Sequence, residues 1–535
     1  MSFKEQKQFI YAFTIIAAGS ILFFISKPYL PNKIFTKQLS ANNIIVDSLM
    51  LEAIDIEEVE EEKEVVLQET LNKDSIHKTS EIDKTITPDD ENKIKTAHTH
   101  PFSFIDIGSF NLDLTHEVDS LGKYILPKPK KLTSYSGKEN LKHFFEKLYE
   151  LEKSTEGNVR IAYYGDSMID GDLIVQDFRS ALQTRFGGRG VGFVPITSES
   201  ARSRYSIKHY TSGNWNTKNF MKGRADSIPY GINGAVHFSQ DSTAGIKFLA
   251  SGIKNSYNLN SPRLYYGKGN PNGVIQIKID KDSIKQTIKL NGTRSLNTAT
   301  LTNKDIKKIK LEFTQSQGLP IYGVDFSNNS GVHVDGFSKR GNSGLPLSLL
   351  HTAQMKEFDK TLAYDLIILQ FGANVLTRKS KNYTWYSNRM TKVVEHLKAS
   401  FPEADILILG TADRGTKMEN LIKTDSGVVK LLRSQQIYAA NTNSAFMSLF
   451  HLMGGANTAQ VWNAHKFMNN DYTHFSPRGS QKIGRMIYRD LMDDYDAFAK
   501  ARSQQKEEIE QNLKEELAAL PVSDSLKVKN DSLKN

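Results

Sequence analysis

YYGDSMIDGD, from Tyr163 to Asp172, stops an apolar run at a glycine, an acid and a serine. The residues just before, VRIAYY from Val159 to Tyr164, are β-branched and aromatic and predict a short buried strand. Just after, Ile174, Phe178 and Leu182 recur every fourth residue and mark a helix. Upstream, LKHFFEKLYELE shows apolar residues at helical spacing as well. Helix, strand, turn, helix is a parallel α/β unit. A serine at such a turn can cap the coming helix. It can also present a nucleophilic hydroxyl at the edge of a sheet, and other parts of the chain must decide which.

The chain has 535 residues, of which 39% are hydrophobic, enough for more than one domain. It contains no cysteine, which excludes disulfides and thiolate metal sites. The net charge of +9 favours anionic surroundings. No Arg-rich helix or interleaving of basic and aromatic residues accompanies it, so nucleic acid is not an expected partner.

Residues 1–30 read as a membrane anchor. Phe9 to Ser26, FIYAFTIIAAGSILFFIS, is uncharged and of the length a spanning helix needs. Lys27-Pro28-Tyr29-Leu30-Pro31 follows in place of a small-residue cleavage site, so the span is expected to stay uncleaved. Lys4 and Lys7 favour a cytoplasmic N-terminus, against the pull of Lys27, Lys33 and Lys37. Residues 31–100 read as a solvated tether, dominated by the acidic stretch LEAIDIEEVEEEKEVV from Leu51 to Val66. The expectation is a single-pass protein whose catalytic domain lies in the periplasm or otherwise outside the cytoplasm.

Beyond the tether, 101–204 reads as the first part of an α/β domain, and 205–334 changes character. Short β-type runs such as AVHFS, GIKFLA, GVIQIKI and KKIKLEF alternate with Gly, Asn, Pro and Ser, which predicts an inserted all-β, jelly-roll-like sandwich. The α/β pattern returns over 335–503, with LAYDLIILQFGAN and ADILILGTADRG as strands and SQKIGRMIYRDLMDD as a late helix. Residues 504–535 read as a charged helix and polar tail.

Serine hydrolysis needs a nucleophile, a histidine base, a carboxylate to hold it and donors for the oxyanion. Ser167 ends one strand, Asn374 ends another, and Asp471-Tyr472-Thr473-His474 precedes the last helix. Asp-x-x-His also occurs at Asp74/His77 and Asp113/His116, and Gly-x-Asn at Gly231/Asn233 and Gly455/Asn457. Only Ser167, Asn374 and His474 follow the order strand-end serine, strand-end asparagine, histidine in the loop before the last helix, and in a parallel sheet those strand ends lie at one edge.

GDS, a later glycine, GAN and DYTH in this order resemble the SGNH (GDSL-type) hydrolases over about half of the chain. The resemblance implies a parallel sheet sandwiched by helices. It also implies Ser167 as nucleophile, His474 as base, Asp471 as its orienter, and Ser167, Asn374 and a glycine of KRGNSGLP as oxyanion donors. That glycine is Gly344, with Gly341 as the alternative. Val375 stands where many members carry an acid. The inserted β module and YGVDFSNNSGVHVDGFSKRGNSG resemble envelope esterases that deacetylate peptidoglycan or other polysaccharide, with no metal or cofactor. Trp215 is either a sugar platform or core. An acyltransferase on the same glycans, a lipid or arylester hydrolase, and a non-catalytic glycan-binding protein are the competing expectations.

Overall fold

The computed structural model describes residues 47–50 and 117–519, apart from 121, 133, 202–203, 223–226, 282–285, 377–381 and 420. The apolar run Phe9–Ser26 and the acidic stretch Leu51–Val66 lie outside the described residues. Among the described residues no helix is long and apolar enough to cross a membrane.

Helix α1 (Lys142–Ser154) leads into strand β1 (Asn158–Gly165), and helix α2 (Leu173–Phe186) follows the turn at Ser167. The chain then forms β2 (Phe193–Pro195), β3 (Ile207–Ser212), β4 (Trp215–Asn219), β5 (Ala235–Ser239), β6 (Gly245–Ala250) and β7 (Arg263–Gly267). It continues with β8 (Gly273–Ile279), β9 (Gln286–Leu290), β10 (Leu296–Thr300), β11 (Lys308–Gln315) and β12 (Ile321–Asp325). The α/β alternation returns with β13 (Gly331–Ser338), α3 (Thr352–Leu362), β14 (Leu366–Gln370), α4 (Thr384–Ser400) and β15 (Asp405–Gly410). A hairpin of β16 (Gly415–Met418) and β17 (Leu421–Thr424), then α5 (Ser426–Asn441), β18 (Ala445–Ser448), α6 (Leu449–Met453), α7 (Thr458–Ala464) and α8 (Pro477–Ala519) complete it.

Five strands form a parallel sheet in the order β13-β1-β14-β15-β18. The register sets Gly165 beside Ser338 and Gln370, and Gly410 beside Ser448, so the carboxyl ends of the strands share one edge. Successive strand residues point to opposite faces. Ala162 and Tyr164 enter a core with Met355, Met390 and Leu431 of α3, α4 and α5. Ile161 and Tyr163 enter a second core with Phe145, Phe178 and Ile487 of α1, α2 and α8. The result is a three-layer sandwich with both sheet faces covered, which is why these strands read as unbroken apolar runs.

The remaining large sheets are antiparallel. One runs β10-β7-β12-β5-β4, with β2 beside β12, and the other runs β3-β6-β11-β8-β9. They face each other across Ile246, Phe248, Leu264, Ile309, Leu311 and Val324. Trp215 packs at the margin of this core, edge-on to Phe313 at 5.0 Å. The outer face of the first sheet turns Tyr265 and Tyr322 onto Phe358 of α3, at 6.1 and 5.2 Å between ring centroids. Sandwich strands begin at Phe193, because β2 pairs with β12, and the parallel sheet resumes at Gly331, because β13 pairs with β1 over its whole length. Both switches therefore fall before the positions that composition marks, 205 and 335.

Arg160, in the middle of β1, ties these parts together. Its guanidinium donates to Asp335 of β13 (Nε to Oδ2, 2.8 Å) and to Asp325 of β12 (Nη2 to Oδ1, 2.7 Å), with all three side chains at most 4% exposed. Asp335 also accepts from Phe193 N–H at 2.8 Å and Tyr364 Oη–H at 2.6 Å. Burial alone would raise the Asp325 carboxyl, but Arg160 overrides it and holds the group below the ordinary range. Removing one member of a buried ion network leaves uncompensated charge, which costs about 3–5 kcal/mol. Arg160→Met is therefore expected to lose about that much stability in urea unfolding. Because the Asp325 pKa is depressed on folding, its contribution is full above the unfolded carboxylate value of 3.8 and is lost as pH falls through the folded value. Wild-type stability should drop over that acid window, and the drop should be smaller in Arg160→Met.

Candidate active site

Three strand ends and one loop converge at the carboxyl edge of the parallel sheet. After β1, Asp166 caps a one-turn helix by accepting from Met168 N–H at 2.8 Å, and this capped turn carries Ser167. Ser167 is thus at a helix start, and the cap is its neighbour Asp166. The loop before α8 brings His474 to it: Ser167 Oγ lies 2.9 Å from His474 Nε2. Behind the ring, His474 Nδ1 lies 2.8 Å from Asp471 Oδ2, while Asp471 Oδ1 accepts the backbone N–H groups of Thr473 and His474, each at 3.0 Å. Asp471 fixes both the position of the loop and the tautomer in which Nε2 faces the serine. The other Asp-x-x-His pairs, Asp74/His77 and Asp113/His116, lie outside the described residues.

The electrostatics follow from this packing. The hydrogen bond to Asp471 raises the His474 pKa above its ordinary 6.5, against the opposing effect of burial. Burial acts to raise Asp471, but the hydrogen bonds from His474 and Thr473 outweigh it and leave the carboxyl below its ordinary value. Asp166 goes the other way: burial pushes it up to about 6, despite the Met168 N–H and the nearby His474 charge.

Asn374, beyond β14, aims its side-chain amide into the same place. Nδ2 donates to Asp166 Oδ2 and to the Asn342 carbonyl, both at 3.1 Å. Val375 is fully buried in the core beside α4 and α5, so this position serves packing here.

The loop after β13 departs from expectation. Gly344 N–H is buried and already donates to Asn342 Oδ1 at 2.9 Å, so it is not a free oxyanion donor. Its glycine identity has another cause: φ is +95°, and a Cβ would meet the Phe371 ring at 2.9 Å. Gly341 is buried with φ +78°, and its N–H makes no hydrogen bond among the described residues.

Asp47 was invisible to motif reading. It is fully buried, accepts from Ser343 N–H at 2.7 Å, and donates its own N–H to Gly341 O at 3.3 Å. In a trans peptide the N–H and the preceding C=O point opposite ways. Holding Ser343 N–H toward Asp47 therefore turns the Asn342 carbonyl onto Asn374. No composition signal marks Asp47, because the loop it holds, at Gly341 and Ser343, lies almost three hundred residues away. A chain beginning at Pro101 lacks this anchor. It is expected to turn over a small ester with kcat about 10- to 100-fold below that of the full chain, below the 10²–10³ typical of losing an oxyanion donor. Asp47→Asn, which keeps an acceptor, should lie nearer wild type than Asp47→Ala, with KM little changed in either.

No protein-family model matches the sequence, and no curated protein matches it. Among solved structures, a peptidoglycan O-acetylesterase aligns with a TM-score of 0.55 at 18% identity, covering 66% of this chain and 96% of that one. A family two carbohydrate esterase from Cellvibrio japonicus (TM-score 0.24, 11% identity, 57% of this chain and 98% of that one) and an acetyl xylan esterase (0.24, 14%, 30% and 81%) align far more loosely. The first likeness concerns the backbone: the chain has the fold of the SGNH (GDSL-type) hydrolases.

Proposed function

We propose that the protein is a serine esterase that removes O-acetyl groups from a cell-envelope carbohydrate such as peptidoglycan. The observation that carries this reading is the unbroken hydrogen-bonded chain from Ser167 through His474 to Asp471, at the sheet edge where α/β folds place their ligands. His474 takes the Ser167 proton as Oγ attacks the ester carbonyl, forming a tetrahedral oxyanion. Ser167 N–H, Gly341 N–H and Asn374 Nδ2 are its donors, with the Asn374 amide exchanging the Asn342 carbonyl for the oxyanion. Collapse expels the sugar hydroxyl, which receives its proton from His474. Water, deprotonated by the same imidazole, then releases acetate.

The apolar depression beside the nucleophile, lined by Met168, Phe371, Ala373 and Leu376, suits a short acyl chain. The inserted sandwich shares a core with α3 and reaches the active-site edge through its loops, which supports a glycan-contacting, jelly-roll-like role. The Phe9–Ser26 run supports a membrane anchor that places the catalytic domain outside the cytoplasm.

Ser167→Ala is expected to abolish turnover of 4-nitrophenyl acetate while unfolding as wild type does, whereas Asn374→Ala should retain a residue about 10²–10³ below wild-type kcat. Full turnover by folded Ser167→Ala would end the proposal. Below its pKa His474 carries the proton and cannot accept another, so the acidic limb of kcat/KM should fall above pH 6.5. Asp471→Asn removes the interaction that raises that pKa, and should move the limb down while lowering the plateau rate. Protease added to intact spheroplasts should degrade the catalytic domain; protection equal to that of a cytoplasmic marker would refute the orientation.

A further inference from the structure

A cleft opens beside the Ser167 turn, between residues 169–172, the loop Ser338–Arg340 and two loops of the insertion. Asn233, of the Gly231/Asn233 pattern that the triad leaves unused, lines one of its walls. Asn233 is only 4% exposed. Its Oδ1 accepts from Ala235 N–H at 3.2 Å, yet its Nδ2 has no partner among the described residues. A buried amide N–H₂ left unsatisfied is costly, and in a cleft wall it points to an acceptor that arrives with a ligand.

Two cations face the same space. Arg204 is 6% exposed and donates Nε to Ser206 Oγ at 2.9 Å. Its Nη2 stands 3.4 Å from Asp172 Oδ2 without hydrogen-bonding alignment, because Asp172 already accepts from Arg179 Nη1 and Nη2 at 2.8 and 3.0 Å. Lys339 Nζ makes no hydrogen bond or ion pair among the described residues. Burial holds its ammonium below the ordinary lysine value, opposed by the charges of Glu199 and Asp170. Arg340, by contrast, is closed off by Asp170 at 2.6 Å. Arg179, Arg204, Lys339 and Arg340 stand against Asp170, Asp172 and the exposed Glu199, which leaves one positive charge in excess.

Free donors and a single excess charge suit a monoanionic oxygen acid rather than a dianionic phosphate. We propose that Asn233, Arg204 and Lys339 form a subsite for a carboxylate carried by the glycan, close to the ester that Ser167 attacks. The inference rests on the esterase reading and narrows its substrate to acidic saccharides. A free lactyl group of muramic acid and a uronate present the same chemistry.

The test compares acetate release by the full chain from O-acetylated oligosaccharides bearing a free carboxylate with release from the same compounds converted to the carboxamide. One pair carries muramic acid and one a uronate, and the pair with the larger effect identifies the source. The expected result is a kcat/KM about 10- to 100-fold higher for the acid, residing mainly in KM, as for a charge-assisted hydrogen bond gained. Lys339→Met, and separately Asn233→Asp, should collapse that ratio toward one. Equal rates for acid and amide, or a ratio unchanged in Lys339→Met, would overturn the subsite. The acid-to-amide comparison on wild type needs no variant, so a misfolded mutant does not leave the matter open. If wild type hydrolyses 4-nitrophenyl acetate but treats acid and amide alike, the subsite alone fails. If it hydrolyses no ester, the esterase reading fails and takes the subsite with it.

Discussion

A guanidinium buried at the centre of β1 is tolerable only if its charge is matched where it lies, and Arg160 meets that condition through two carboxylates from different sheets. Asp335 comes from the neighbouring parallel strand and Asp325 from the sandwich, so one side chain couples the two modules. The Phe193 amide and the Tyr364 hydroxyl donate to the same two oxygens of Asp335 that accept from Arg160, which anchors the first sandwich strand and the entry to β14 to the same point. The insertion is accordingly a built-in wall of the molecule. Its tyrosines sit on α3 and its loops arrive at a fixed height above the catalytic edge.

That edge works because parallel register aligns strand ends that are far apart in sequence. Gly165, Ser338 and Gln370 lie side by side, and within a few residues beyond each stands Ser167, Gly341 or Asn374. His474 reaches them from a loop just before α8, which packs on α2 behind the serine. The nucleophile and its base therefore rest on two helices pressed together, a rigid arrangement for a proton transfer over 2.9 Å.

The oxyanion side is organised by hydrogen bonds to backbone. Asn342 uses its side chain to close the turn at Gly344 and its carbonyl to orient Asn374, while Asp166 takes the other half of the Asn374 amide. Asp47 sets the peptide that makes this possible. A buried carboxyl, Asp166, whose pKa burial raises to about 6, thus sits between the nucleophile's turn and the asparagine. It couples the geometry of one to that of the other.

Local pattern determined much of this protein. An unbroken apolar run announced the strand before Ser167 and apolar residues at period 3.6 the helix after it, and the order of GDS, GAN and DYTH announced which strand ends must meet, because strand, turn and helix preferences act over a few residues. Tertiary structure decided the rest. Gly341 and Gly344 are the same residue in the same short loop, and only the direction of each N–H distinguishes a free amide from a closed turn. The sandwich begins at Phe193 because that segment pairs with a strand more than a hundred residues later, although its composition matches what precedes it. Asp47, within IIVDSLML, and Asn233, within GINGAV, acquire meaning only from what surrounds them after folding. Contacts between distant backbone groups leave no trace in residue type, and these particular contacts shape the site.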